Sequence, residues 1–199
     1  MVSKRQNLKL RVIREVTLWS LVAYDLQSAT TSLNPFTLLE LNHTTWRQDL
    51  ELWRKVMGEI KPKERAIKIW KNENLWKQCN QLAQGILEHQ ICLDLLISRS
   101  SMHWKIERMG GVDRNILRLA TYELCFKPQV PARAILNEAI ELGKRYGSTD
   151  SGRFINGVLD RIAHDLNRVP TKNKAKNSTS VEVIDLRPRG SSKKTDSNP

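Results

Sequence analysis

Asp150, Ser151, Arg153 and Phe154 fall within five residues, directly after the break Gly147-Ser148-Thr149. A helix opening there would hold all four in its first turn. An aromatic ring so placed can stack on an unpaired base, a sequence-tolerant contact of ~1–3 kcal/mol. Arg153 beside it can pair with a phosphate. Periodicity favours another role, because Phe154 shares a stripe with Val158 and Ile162 and so reads as a core residue. A second set, Lys4, Arg5, Lys9, Arg11 and Arg14, gathers at the start of the first predicted helix. Cations at a helix N-terminus oppose its dipole. They are poor for stability and well suited to a phosphate ligand, which the free N–H groups of a first turn also attract. Both sets point to recognition of a polyanion with unpaired bases.

Catalytic patterns are not evident. The chain has no Walker loop, no dinucleotide fingerprint, no HExxH and no nucleophile elbow. Glu138 and Glu141 share a helix, but Glu141 with Arg145 is the spacing of a surface ion pair, which is the expectation here. His43, His89, His103 and His164 lack metal-ligand spacing, and Cys79, Cys92 and Cys125 contain no CxxC. The three thiols read as small apolar residues in a reducing compartment. No catalytic residue, metal or cofactor is expected, and the chain is not expected to be an enzyme.

The 199 residues carry 33 Lys and Arg against 21 Asp and Glu, a formal charge of +12. That balance favours RNA or DNA first and an acidic membrane surface second. The basic start followed by Val16–Tyr24 imitates a signal peptide, but Glu15 interrupts the junction and Thr17, Trp19 and Ser20 dilute the apolar run. No stretch approaches the ~20 apolar residues of a membrane-spanning helix.

The elements that must position these residues are helical throughout. A first helix spans about 8–27, with Leu10, Ile13, Leu18, Leu21 and Val22 as its stripe. Thr31 to Pro35 break the chain, and a second helix runs from about Pro35 to Met57. The Lys-rich stretch Lys61–Lys77, with Trp70 and Trp76, reads as a helical insertion. One longer helix follows from about Asn72 to Ser98, carrying Leu82, Ile86, Leu93 and Leu96. After Gly110-Gly111 come three helices, 112–126, 130–146 and 150–167, separated by Lys127-Pro128 and by Gly147-Ser148-Thr149. Pro131 suits a first helical position. Gly147 is expected as a left-handed C-cap, and Thr149 or Asp150 as an N-cap. Residues 1–7 read as a basic flexible arm. From Val169 the chain turns to Lys, Asn, Ser, Thr and Pro, with seven cations and three acids, and reads as a disordered basic tail over 169–199.

The wording of the last three helices goes beyond pattern. VDRNILRLATYEL, NEAIELGKRYG and RFINGVLD together resemble the C-terminal half of the NusB family of transcription antitermination and rRNA-processing factors. The resemblance covers about residues 80 to 165. It implies an all-α fold of about seven helices in two small bundles packed at right angles. Here the bundles would span about 8–78, with the insertion, and 79–168. It also implies binding of a boxA-like single-stranded RNA from rRNA leaders, partnership with NusE (also a small-subunit ribosomal protein), and a place in the RNA polymerase antitermination complex. No membrane is implied, and the compartment would be bacterial cytoplasm or the interior of an organelle of bacterial origin.

Carried over by position, the family's Arg-rich start resembles RVIRE, Arg11 to Glu15. It implies phosphate contacts by Arg11 and Arg14, with Lys4, Arg5 and Lys9 in support. The last-helix segment carries over as Asp150, Ser151, Arg153 and Phe154, with Phe154 stacking on a base. The NusE-facing surface would lie around Gly85, Glu88 and His89 and around Asp113 and Arg114. This chain departs from the family at Leu10, Val12 and Ile13, which separate its cations, and at Trp19 to Val22. Two alternatives stay open. One is an interaction module that holds NusE with weakened RNA contact. The other is a remnant of the NusB-like RNA-binding domain of an rRNA cytosine methyltransferase.

Overall fold

The computed structural model describes residues 4–28, 72–101 and 104–168, with the backbone alone for 4–7 and 27–28. Among them are six α-helices, a short 3-10 turn and no strand. The helices are α1 (Lys4–Ser28), α2 (Glu73–Glu88), α3 (Gln90–Ser100), α4 (Gly111–Phe126), α5 (Ala132–Tyr146) and α6 (Ser151–Asp165), and the 3-10 turn is Ile106–Arg108. The expected second helix at 35–57 and most of the 61–77 insertion lie outside the described residues, as do residues 169–199.

Helix α4 is the hub, packing on each of the other five described helices. Its apolar face, Ile116, Leu117, Leu119, Ala120 and Leu124, is buried. Ile135, Leu136 and Leu142 of α5 and Ile155, Leu159 and Ile162 of α6 close on it in a single apolar cluster. Helices α5 and α6 approach closely where Gly143 faces Gly152: a methyl on Gly143 would lie 3.5 Å from the Gly152 Cα.

Helix α1 differs from the amphipathic stripe its sequence suggests. Residues 12–23 are buried all round, including Arg14, Glu15, Thr17 and Ser20. Each of these polar side chains has a distant or local partner. Arg14 Nε donates to Glu123 at 2.7 Å, Thr17 to the Cys79 carbonyl at 3.4 Å, and Ser20 to the Val16 carbonyl at 3.1 Å. A helix can bury every face only if most of its polar groups are satisfied internally, and here Arg14 Nη2 is left over. Nearer its C-terminal end, Asp25 receives Arg114 (2.7 Å), Arg118 (3.2 Å) and Asn115 (2.9 Å), and Arg118 also forks onto Asp94 of α3 at 2.8 Å. Burial alone would lower the Arg118 pKa, but the hydrogen bonds and charges of Asp94 and Asp25 outweigh it and raise it.

Several local expectations are corrected. The single helix Asn72–Ser98 is two, broken at His89 (φ −104°, ψ 10°). His89 Nδ1 donates to the Gly85 carbonyl at 2.8 Å, occupying the acceptor that the backbone N–H four residues on would use in a continuous helix. Gly147 is extended (φ −92°, ψ −167°), not left-handed. Its need for glycine is room, since a methyl there would lie 2.7 Å from Asp113 Oδ1. Asp150 is the α6 N-cap but makes no side-chain capping bond. Glu141 pairs with Lys144 at 3.0 Å rather than with Arg145, because Arg145 reaches Glu15 of α1 at 3.4 Å. Among the described residues the left-handed region is adopted at Asn167 (φ 53°). This lets Arg168 N–H return to the Ala163 carbonyl at 2.8 Å and close α6.

Candidate nucleic-acid interface

The turn from α5 to α6 is held from below. Ser151 Oγ accepts the Ser148 N–H at 2.7 Å and donates to Asp113 Oδ2, at the start of α4, at 2.8 Å. Ser151 is thereby buried and fixes the turn rather than facing a ligand. Asp150 and Arg153 rise from the same turn into solvent. Their side chains are 83% and 91% exposed, and their 3.9 Å ion pair is loose enough to yield to a phosphate. Phe154 is half-buried, resting on the apolar cluster while lining a cleft, so its core and surface readings both describe part of the ring.

That cleft encloses about 900 Å³. One wall is the connector before α4, with Trp104, Arg108 and Met109. The floor is the start of α4 from Gly111 to Asp113, and the far wall is Tyr146 to Ser148 and the first three turns of α6. Trp104 meets Phe154 with ring centroids 6.0 Å apart at 63°. Arg108, Arg153 and Arg161 line the cleft, and Arg161 also donates to the Ser100 carbonyl at 3.1 Å. The Trp104 and Phe154 rings, the buried Tyr146 and three guanidinium groups thus border one concave surface.

A smaller groove of about 270 Å³ lies along α5 and α1, lined by Arg11, Glu15, Glu138, Lys144 and Arg145 among others. Tyr146 lies between groove and cleft. Its hydroxyl donates to Glu15, its ring stands edge-on to Trp19 at 4.6 Å, and the Arg145 guanidinium covers it at 4.8 Å. Burial, and then the Glu15 carboxylate, push the Tyr146 pKa up, so the hydroxyl stays a donor.

The basic start divides. Lys9 is exposed, and Arg11 is half-exposed with Nε 2.9 Å from Glu138. Arg14 is turned inward, paired with Glu123 and only 6% exposed at its side chain, so it is not presented to solvent. The side chains of Lys4 and Arg5 lie outside the described residues.

The residues expected to face a protein partner fall in two places. Gly85 is buried beneath Tyr122, Glu88 is exposed, and the His89 ring packs on Phe126 at 4.4 Å. Arg114 is paired with Asp25, whereas Asp113 lines the cleft with Phe154, about 14 Å along α4 from Tyr122. Trp104, Arg108, Arg161 and Lys144 were not singled out from the sequence, and Arg145 only as an ion-pair partner. A tryptophan and arginine in a connector before a helix carry no periodic signal, and only tertiary packing brings them to Phe154. Among the described residues no group of His, Cys, Asp and Glu is placed to hold a metal ion, and no helix is long and apolar enough to cross a membrane.

Comparison with known proteins shows what the chain is similar to. The NusB family model matches residues 36–164, which extends upstream of the stretch whose wording carries the resemblance. The transcription antitermination protein NusB of Desulfitobacterium hafniense is 40% identical over 123 residues, 59% of this chain and 83% of its own. That of Sorangium cellulosum is 44% identical over 117 residues, 59% of this chain and 74% of its own. Among solved structures, T. maritima NusB aligns with a TM-score of 0.57 at 31% identity, covering 83% of this chain and 94% of its own. A crystal structure of antitermination factors NusB and NusE in complex with double-stranded RNA aligns with a TM-score of 0.56 at 23% identity. It covers 79% of this chain and 97% of its own, and the likeness speaks for the fold.

Proposed function

The chain belongs to the NusB family, and on that premise we propose that it is an RNA-binding transcription antitermination factor and not an enzyme. Its ligand in this reading is boxA-like single-stranded RNA of an rRNA leader. It binds this RNA together with NusE, within the RNA polymerase antitermination complex, in the cytoplasm or an organelle of bacterial origin. The observation that carries the reading is the cleft at the start of α6, where Phe154 offers a ring beside the solvent-facing Arg153. Sequence-specific readers of single-stranded RNA stack unpaired bases on such rings and use cations for the backbone. Lys9 and Arg11, with Lys4 and Arg5, add phosphate contacts along α1. The relatives named as transcription antitermination proteins support the reading.

The test is fluorescence anisotropy of a labelled boxA-like RNA and a scrambled control, with and without NusE, at about 50 and 200 mM salt. Salt-sensitive binding that prefers the boxA-like RNA, strengthens with NusE and drops on Phe154→Ala is expected. Absence of RNA binding in every condition refutes the proposal.

A second reading is favoured by one observation: Arg14 is buried against Glu123 and Arg11 is engaged by Glu138, which leaves α1 fewer free cations. In that case the protein is a module that holds NusE with weakened RNA contact. NusE binding without measurable RNA binding identifies it.

A further inference from the structure

We propose that Trp104 is a second base-stacking platform. The cleft then takes one unpaired RNA base on the indole face, against the Phe154 ring, with adjoining phosphates at Arg108 and Arg153. The inference rests on the RNA-binding reading and adds to it a residue, a geometry and a division of labour.

Trp104 is 56% exposed, and among the described residues it alone of the large exposed apolar side chains lines the cleft. A lone exposed apolar residue needs no explanation. This one is held in place. The buried Ser101 donates through Oγ to the Trp104 carbonyl at 2.7 Å, and the Trp104 N–H returns to the Ser101 carbonyl at 3.3 Å. Immediately after it, Ile106 and Met109 are buried and anchor the connector. The indole is therefore presented on a pinned backbone, so little ordering entropy is lost when a ligand lands on it.

The ring geometry decides how a base fits. Parallel rings about 7 Å apart would clamp a base between them. At 6.0 Å and 63° the two rings form a corner. A base stacked on one ring turns its edge toward the other, an arrangement that ring quadrupoles favour. Trp104 has the larger open face, because Phe154 is half-buried against the core. The indole is then the floor of the subsite and Phe154 its wall. Arg108 and Arg153 line the same cleft and are exposed, and Asp150, also in its lining, can accept from a base amino group. A carboxylate beside the arginines favours a nucleotide over a bare polyphosphate.

Stacking is uncharged and phosphate pairing is not, so the two separate by salt. In the anisotropy assay on the full chain, Trp104→Ala weakens RNA binding about 5- to 100-fold at both salt concentrations, with the salt slope unchanged. Trp104→Phe keeps most of the affinity. Arg108→Ala shallows the slope. RNAs carrying one abasic nucleotide, moved stepwise along the oligonucleotide, locate the base: at one position the Trp104→Ala effect disappears. NusE affinity and the thermal midpoint of Trp104→Ala stay at wild-type values.

Wild-type RNA binding that Trp104→Ala leaves unchanged overturns this inference and leaves the proposed function standing. Loss of NusE binding instead makes the connector a protein contact and also overturns it. Failure of the wild type to bind any RNA removes both.

Discussion

Arg14→Met separates what α1 does for the fold from what it does for a ligand. Arg14 and Glu123 meet at 2.7 Å with side chains 6% and 7% exposed, and Arg14 Nη2 is buried without a hydrogen-bond partner. Replacing Arg14 with Met keeps the volume of the stem and leaves the Glu123 carboxylate buried and unpaired. Removing one member of such a pair costs about 3–5 kcal/mol, since the survivor keeps its desolvation penalty and loses its partner. With a urea slope near 2 kcal/mol/M, the unfolding midpoint falls by about 1.5–2.5 M. Glu123→Leu alone gives a loss of similar size. The double variant Arg14→Met/Glu123→Leu recovers to within about 1 kcal/mol of wild type, because two apolar side chains need no compensation. Urea unfolding followed by far-ultraviolet circular dichroism reads all four corners of the cycle. RNA affinity, measured where the single variant is still folded, stays unchanged. A midpoint shift under about 0.5 M for Arg14→Met, or a double variant as unstable as the summed singles, refutes the account of Arg14 as a structural partner.

Arg11 behaves oppositely: Arg11→Ala changes stability by under about 0.5 kcal/mol, as exposed pairs do, and reduces the salt slope of RNA binding by about one; an unchanged slope removes Arg11 from the interface. Gly85→Ala places a methyl 2.8 Å from Tyr122 Cζ and displaces a ring that packs on Phe126, so thermal unfolding reports a loss of about 1–3 kcal/mol. Stability falls in alkali. Burial pushes the Cys79 thiol up to about 12 and the Cys125 thiol up to about 11, from 9.0 in the unfolded chain. The folded state then retains protons that the unfolded chain releases, so this stability is whole below pH 9.0 and is lost as pH rises through 11 to 12. Urea midpoints measured from about pH 8 to pH 11 decline above pH 9, and Cys79→Ala lessens the decline.

The sequence was most legible where helices are short-range objects. Ile116, Leu119 and Leu124 sit at helical spacing, and α4, α5 and α6 begin and end within a residue or two of the expected breaks. Legibility failed where a residue's role is set by a partner far along the chain. Nothing local marks Arg14 as buried, because Glu123 lies 109 positions away. The break at His89 interrupts an unbroken apolar period, and its cause is one side chain taking the Gly85 carbonyl. The candidate site was half legible. Asp150, Arg153 and Phe154 were visible as a cluster, whereas Trp104 lies outside any periodic element and meets Phe154 only through the packing of α6 beside the connector.

The all-round burial of α1 has a consequence for synthesis. This helix leaves the ribosome ahead of the helices that cover it, with Leu18, Trp19 and Leu21 fully buried in the finished protein. Two helices cover much of it: α2, from Glu73, and α4, which begins only at Gly111. At about 5–20 residues per second, the nascent helix waits roughly 5–20 s for its cover. Until α4 emerges, the face it covers and the unpaired Arg14 and Glu15 are open to whatever else is in reach. Nascent chains halted before residue 111 should therefore be held by chaperones or aggregate, and those that have released Glu123 from the ribosome should fold.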